Sequence, residues 1–135
     1  MFVQNDLGPA VDLIRTRVPE LVAVYLFGSV ARGDQRAESD IDLAFLSPRP
    51  LPAKVCWDLQ QDIAVLLHRD VDLIDLRASS TVLRVQVLET SQLLLDLNTY
   101  ERAQFEATAL GAYARLNVER RYILEDIQQR GRVYG

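Results

Sequence analysis

The sequence predicts an α/β (α+β) fold: a small mixed sheet of three to four strands, helices packed on it, and a long C-terminal helix. Three observations predict it. Apolar runs of strand length at residues 21–27, 39–46 and 71–76 alternate with polar turns and with a clear helical stripe at 53–68. From Asn98 onward the apolar residues keep a helical period to about Gln129, roughly thirty residues or ~45 Å of helix. The length, 135 residues, allows one domain over 1–135 with a modest core.

In order, Gly8 to Arg17 reads as a first helix. Pro9 suits its first turn, where no intrahelical N–H is needed, and Ala10, Leu13, Ile14 and Val18 fall on one side. Pro19 ends it. Residues 21–27, LVAVYLF, are apolar on both faces, which points to a central strand covered on both sides. A turn at Gly28 and Ser29 follows, then a short helix at 29–32 and a polar loop at 33–38. Residues 39–46 form the second strand, and its pairing with the first is antiparallel or mixed. Pro48, Pro50 and Pro52 hold the next segment extended. The helix at 53–68 presents Val55, Leu59, Ile63, Leu66 and Leu67. The third strand is VDLIDL at 71–76, and Ser79 or Ser80 caps a helix through Val82, Val85 and Leu88. Gln92 to Asp96 reads as a short edge strand. Asn98, with Glu101 three residues on, caps the last helix, whose stripe is Phe105, Ala109, Ala112, Leu116, Ile123 and Ile127. That helix is longer than so small a body needs, so part of it is expected to meet another chain.

The chemistry concentrates between the first two strands. Asp40 and Asp42 sit in an apolar run, where a carboxylate is costly unless something positive neutralises it. Two residues apart, they share one face of the strand, while Ile41, Leu43 and Phe45 take the other. Paired hard oxygen ligands suit Mg²⁺, which keeps waters and shares the phosphate oxygens of a substrate. Gly28 and Ser29 supply the complement. A helix start there leaves N–H groups that attract phosphate, Gly28 admits a close approach because it lacks Cβ, and Ser29 adds a hydroxyl. Together these features describe a nucleoside triphosphate site. Arg32 is placed either to neutralise triphosphate charge or to pair with Asp34 or Glu38. Ser39 either touches phosphate or orients the strand carrying Asp40.

Gly28 and Ser29, ten residues, then Asp40, Ile41 and Asp42 resemble the signature of the DNA polymerase β-like nucleotidyltransferase superfamily. With Arg32, Gly33 and Ser39 in place, so short a chain resembles the minimal nucleotidyltransferases (MNT), the MntA-type antitoxins that pair with HEPN-domain toxins. The resemblance implies the polymerase β-like fold and a third acidic ligand on a neighbouring strand. Asp70, Asp72 and Asp75 are the candidates; the first two share a face and Asp75 takes the opposite one. Asp72 matches the family position, where it would hold the catalytic Mg²⁺ and help deprotonate the incoming hydroxyl. Asp40, Asp42 and Asp72 are thus the implied catalytic and metal set, for two Mg²⁺ ions. Gly28, Ser29, Arg32 and Ser39 are the implied nucleotide set. The implied reaction is transfer of AMP from ATP to a protein hydroxyl, a tyrosine of a cognate HEPN ribonuclease toxin held in a hetero-oligomer. The Arg-x(4–6)-His motif of the toxin itself is absent ahead of His68, the only histidine. Two rivals stand: an aminoglycoside-type adenylyltransferase of small molecules, which usually carries a larger second domain, and a non-catalytic module that masks the toxin.

Composition narrows the rest. A formal net charge of −4 gives no electrostatic footprint for direct nucleic-acid binding. The single cysteine, Cys56, cannot form an internal disulfide and suits a reducing cytosol, where it is expected to pack. Neither a signal peptide nor a membrane span is legible, so a cytoplasmic location is expected. Trp57 and Tyr25 read as core aromatics, and His68 as a residue closing its helix. Arg120, Arg121, Arg130 and Arg132 make the tail basic: a solvated face, or a contact with an acidic partner.

Overall fold

The computed structural model describes residues 4–28 and 40–134. The order along the chain is α1 (Gly8–Arg17), β1 (Ala23–Phe27), β2 (Ile41–Leu46), α2 (Ala53–Leu67), β3 (Val71–Asp75), α3 (Thr81–Thr90), β4 (Gln92–Asp96) and α4 (Thr99–Tyr134). One sheet holds the strands in the order β3-β2-β1-β4. β1 pairs antiparallel with both β2 and β4, and β2 pairs parallel with β3 through the α2 crossover. The sheet is therefore mixed.

Strand alternation sorts the core into two layers. Val24 and Leu26 of β1, with Ile41, Leu43 and Phe45 of β2, pack on Ala10 and Ile14 of α1 and on Leu59 and Ile63 of α2. Ala23 and Tyr25, with Ala44 and Leu46, face the other way, onto Val87 of α3 and Phe105 of α4. β1 is covered on both sides, as its unbroken apolar run predicts. Val22 precedes the assigned strand yet extends the ladder, its N–H donating to Leu46 O at 2.8 Å and its carbonyl accepting from Leu97 N at 2.8 Å.

The caps follow the sequence closely. Ser80 Oγ accepts from Leu83 N at 3.2 Å to start α3. Asn98 Oδ1 accepts from Glu101 N at 3.2 Å to start α4. His68 closes α2 in the left-handed region, φ 53°. Three expectations are corrected. Trp57 is 59% exposed rather than core, and Val55 and Leu66 also lie outside the packed stripe, which runs through Cys56, Leu59, Ile63 and Leu67. α4 reaches Tyr134 rather than Gln129. Its stripe divides: Phe105 and Ala109 are buried, whereas Ile123 and Ile127 are 59% and 58% exposed. The short helix at 29–32 and the loop at 33–38 lie outside the described residues.

Candidate active site

One rung of the sheet brings two of the candidate carboxylates together. The register sets Phe27 of β1 against Asp42 of β2, and Asp42 against Asp72 of β3. Residues opposed on neighbouring strands point to the same face and sit about one strand spacing apart, ~4.8 Å. Asp42 alternates with Ala44 and Leu46, so both carboxylates stand on the face that α3 and α4 cover further along. At the rung that cover has run out: Asp42 is half-buried and Asp72 exposed. Two like charges directly opposed destabilise a sheet unless a cation joins them.

Asp40 lies just before β2 and is exposed. The entries of β2 and β3 are clipped together beside it, Ile41 N–H donating to Asp70 O at 2.9 Å. Gly28 ends β1 with φ +75°, a backbone conformation that L side chains rarely adopt. A Cβ there would overlap Asp42 Oδ2 and come within 3.0 Å of Cγ and 3.2 Å of Cβ of Asp42. Glycine is thus required twice, for the turn and for the carboxylate that fills the space beside it. Ser29, Arg32 and Ser39 lie outside the described residues.

Asp75, three residues beyond Asp72, shows what a structural aspartate looks like. It is 8% exposed, and its carboxylate accepts from Leu51 N at 2.8 Å and Arg77 N at 3.1 Å. Asp75 thus caps the turn that leaves β3. β3 is an edge strand, and α2 covers its outer side. Gln60 Oε1 accepts from Leu73 N at 2.8 Å, next to Asp72. Sequence reasoning missed Gln60; the available signal was a polar residue at i+4 from Cys56 within an apolar stripe. Cys56 packs against the core with its Sγ 3.9 Å from Leu73 O. Burial first, then the Asp75 and Asp72 charges, push its thiol above the ordinary value, so no thiolate nucleophile forms here near neutral pH.

Among the described residues, no three His, Cys, Asp or Glu side chains close into a metal cage. The donor set nonetheless fits Mg²⁺, which binds through one or two carboxylates and completes its shell with water and substrate phosphate oxygens. Asp42 and Asp72 are such a pair, with Asp40 at the rim.

The match to known proteins decides the family. The family model described as Polymerase beta, Nucleotidyltransferase matches residues 11–100, from within α1 to the first turn of α4. This chain belongs to the polymerase β nucleotidyltransferase family. Within that family it is similar to the protein adenylyltransferase MntA of Shewanella oneidensis, 38% identical over 124 residues, covering 92% of this chain and 88% of that protein. A solved toxin–antitoxin crystal structure with AMP-PNP superposes at TM-score 0.81 with 35% identity, covering 94% of this chain and 99% of that one. A structure of a tri-AMPylated Shewanella oneidensis HEPN toxin in complex with MNT antitoxin gives TM-score 0.77 and 34% identity, covering 93% of this chain and 98% of that one. Most of α4 lies outside the nucleotidyltransferase match but inside these near full-length likenesses. No helix among the described residues is long and apolar enough to cross a membrane.

Proposed function

We propose that this nucleotidyltransferase moves AMP from ATP to a protein hydroxyl, a tyrosine of a HEPN-domain toxin, and acts as that toxin's antitoxin. The observation that carries the reading is the Asp42–Asp72 rung beside a glycine that no other residue can replace. The likeness to MntA over nearly the whole chain supplies substrate and acceptor. Asp40, Asp42 and Asp72 would hold Mg²⁺, two ions by the polymerase β pattern. Bound there, Mg²⁺ supplies Lewis-acid stabilisation of the phosphate oxygens and eases loss of the acceptor proton.

The chain's own groups do the rest. The space a Cβ would take at Gly28 holds the Asp42 carboxylate, and the turn that Gly28 opens, with Ser29, Arg32 and Ser39, would make the nucleotide contacts. Asp72, exposed on the edge strand, is reachable by a hydroxyl from outside and orients it or takes its proton. The acceptor oxygen then bonds to the α-phosphorus as the bond to the bridging oxygen breaks, and pyrophosphate leaves. The outer part of α4, with Val118, Tyr122, Ile123, Leu124 and Ile127 exposed, supports a protein partner. Reliance on ATP and a protein acceptor suits the cytoplasm.

That same surface keeps masking alive as a second reading. The double variant Asp40→Asn/Asp42→Asn separates the two, because it keeps side-chain shape while removing charge. Incubated with toxin, ATP and Mg²⁺, it is expected to bind the toxin but neither add AMP nor restore growth. Full neutralisation by this variant would establish masking instead.

A further inference from the structure

A cavity of about 440 Å³ opens beyond the far end of β3, between the turn leaving that strand and the first turns of α4. Its lining includes Arg77, Arg84, Glu101, Gln104, Phe105 and Thr108. The two arginines are braced by main chain. Arg77 Nε donates to Ser47 O at 2.8 Å, while Arg84 donates through Nε to Leu76 O at 2.8 Å and through Nη2 to Arg77 O at 3.0 Å. Both guanidinium carbons also lie over the buried Phe105 ring, 4.9 and 5.1 Å from its centroid.

Two cations on one aromatic ring repel each other, and among the described residues neither is ion-paired with a carboxylate. Arg102, on the same helix, is the contrast: it holds both Asp96 and Glu106. We propose that the cavity is an anion site for a phosphoryl group, distinct from the acidic rung. A guanidinium fork matches phosphate oxygens and holds its charge at every relevant pH. Gln104, whose Nε2 also donates to Tyr100 Oη at 2.8 Å, and Thr108 add neutral donors. Phe105 floors the cavity, and the two guanidinium charges outweigh the single Glu101 carboxylate in the lining. The volume admits a phosphate carrying a body of nucleoside size. The sites are separate: Asp72 is near the start of β3 and Arg77 past its end, and the strand between Asp72 and Asp75 alone spans ~10 Å.

The test is a titration of the isotopically labelled chain with inorganic phosphate, then with AMP, without divalent ions, followed by backbone amide shifts. Saturable shifts are expected at residues 77–84 and 101–108, weakening as salt is added. AMP binding more tightly than phosphate identifies a nucleotide as the ligand; equal binding identifies free phosphate. Arginine truncation would also unbrace the main chain, so the discriminating variant is Thr108→Glu on the exposed side of α4. It is expected to keep the melting temperature and weaken binding about tenfold or more, by putting a like charge against the anion. No shift with either probe, shifts confined to the Asp42–Asp72 rung, or undiminished binding in Thr108→Glu would overturn the proposal.

Discussion

Carboxylates gather on both sides of β1, and the two groups are treated differently. On the β4 side, Asp96 and Glu106 share Arg102, with Arg102 Nε to Asp96 Oδ2 at 2.9 Å and Nη1 to Glu106 Oε1 at 3.0 Å. The Tyr25 hydroxyl donates to the same Glu106 oxygen at 3.0 Å. Partial burial of Asp96 works to raise its carboxyl, but hydrogen bonds from Arg102 and Thr99 outweigh that and hold it below the ordinary value. On the β2 side, Asp42 and Asp72 face each other across the sheet with the helical cover withdrawn. The first group locks α4 to the sheet. The second sets two carboxylates directly opposite one another on neighbouring strands, an arrangement that a bound cation would stabilise.

Gly28→Ala is the change expected to strike hardest, because it puts a methyl into Asp42 and a side chain at φ +75°. A loss of about 1–3 kcal/mol in denaturant unfolding is expected together with loss of nucleotidyl transfer. Arg102→Met should come next. It takes the shared cation from Asp96 and Glu106, so the melting temperature should fall by several degrees while the Asp42–Asp72 rung, and hence ATP binding, survives. If ATP binding were lost instead, the two regions would not be independent.

Tyr25→Phe is the mildest, about 1 kcal/mol at neutral pH for one hydrogen bond. It has a sharper signature in alkali. Burial, then the Glu106 charge and hydrogen bond, hold the Tyr25 phenol well above its ordinary 10.0. The folded state therefore keeps a proton that the unfolded state loses, and stability falls as pH rises past that value. Unfolding curves above pH 10.0 should show that decline in the parent and a shallower one in Tyr25→Phe.

Much of this contrast was legible in the sequence, and the reasons differ by element. Alternation put Asp40 with Asp42, and Asp70 with Asp72, on shared faces; Asp72 was singled out by the family resemblance, and the register that sets it opposite Asp42 came only with the structure. The caps at Ser80 and Asn98 were visible because capping is local. Trp57 misled because size alone does not place a residue; one position past Cys56 turns it ~100° off the packed stripe. Tyr25 and Glu106 are 81 residues apart, and no local pattern pairs them. The sheet was expected to be mixed, but which pairs run which way was not legible: the α2 crossover joins β2 to β3 in parallel while β1 runs against both its neighbours.

The most direct measurement sets two aspartates of β3 against each other. Purified Asp72→Asn and Asp75→Asn variants are incubated with ATP, Mg²⁺ and the HEPN partner, and the partner is weighed by mass spectrometry. Asp72→Asn should melt like the parent yet leave the partner unmodified. Asp75→Asn, which weakens the acceptor of two buried N–H groups, should melt lower but still add AMP while folded. An AMP adduct made at the parent rate by Asp72→Asn would contradict the assignment of the rung as the site of transfer.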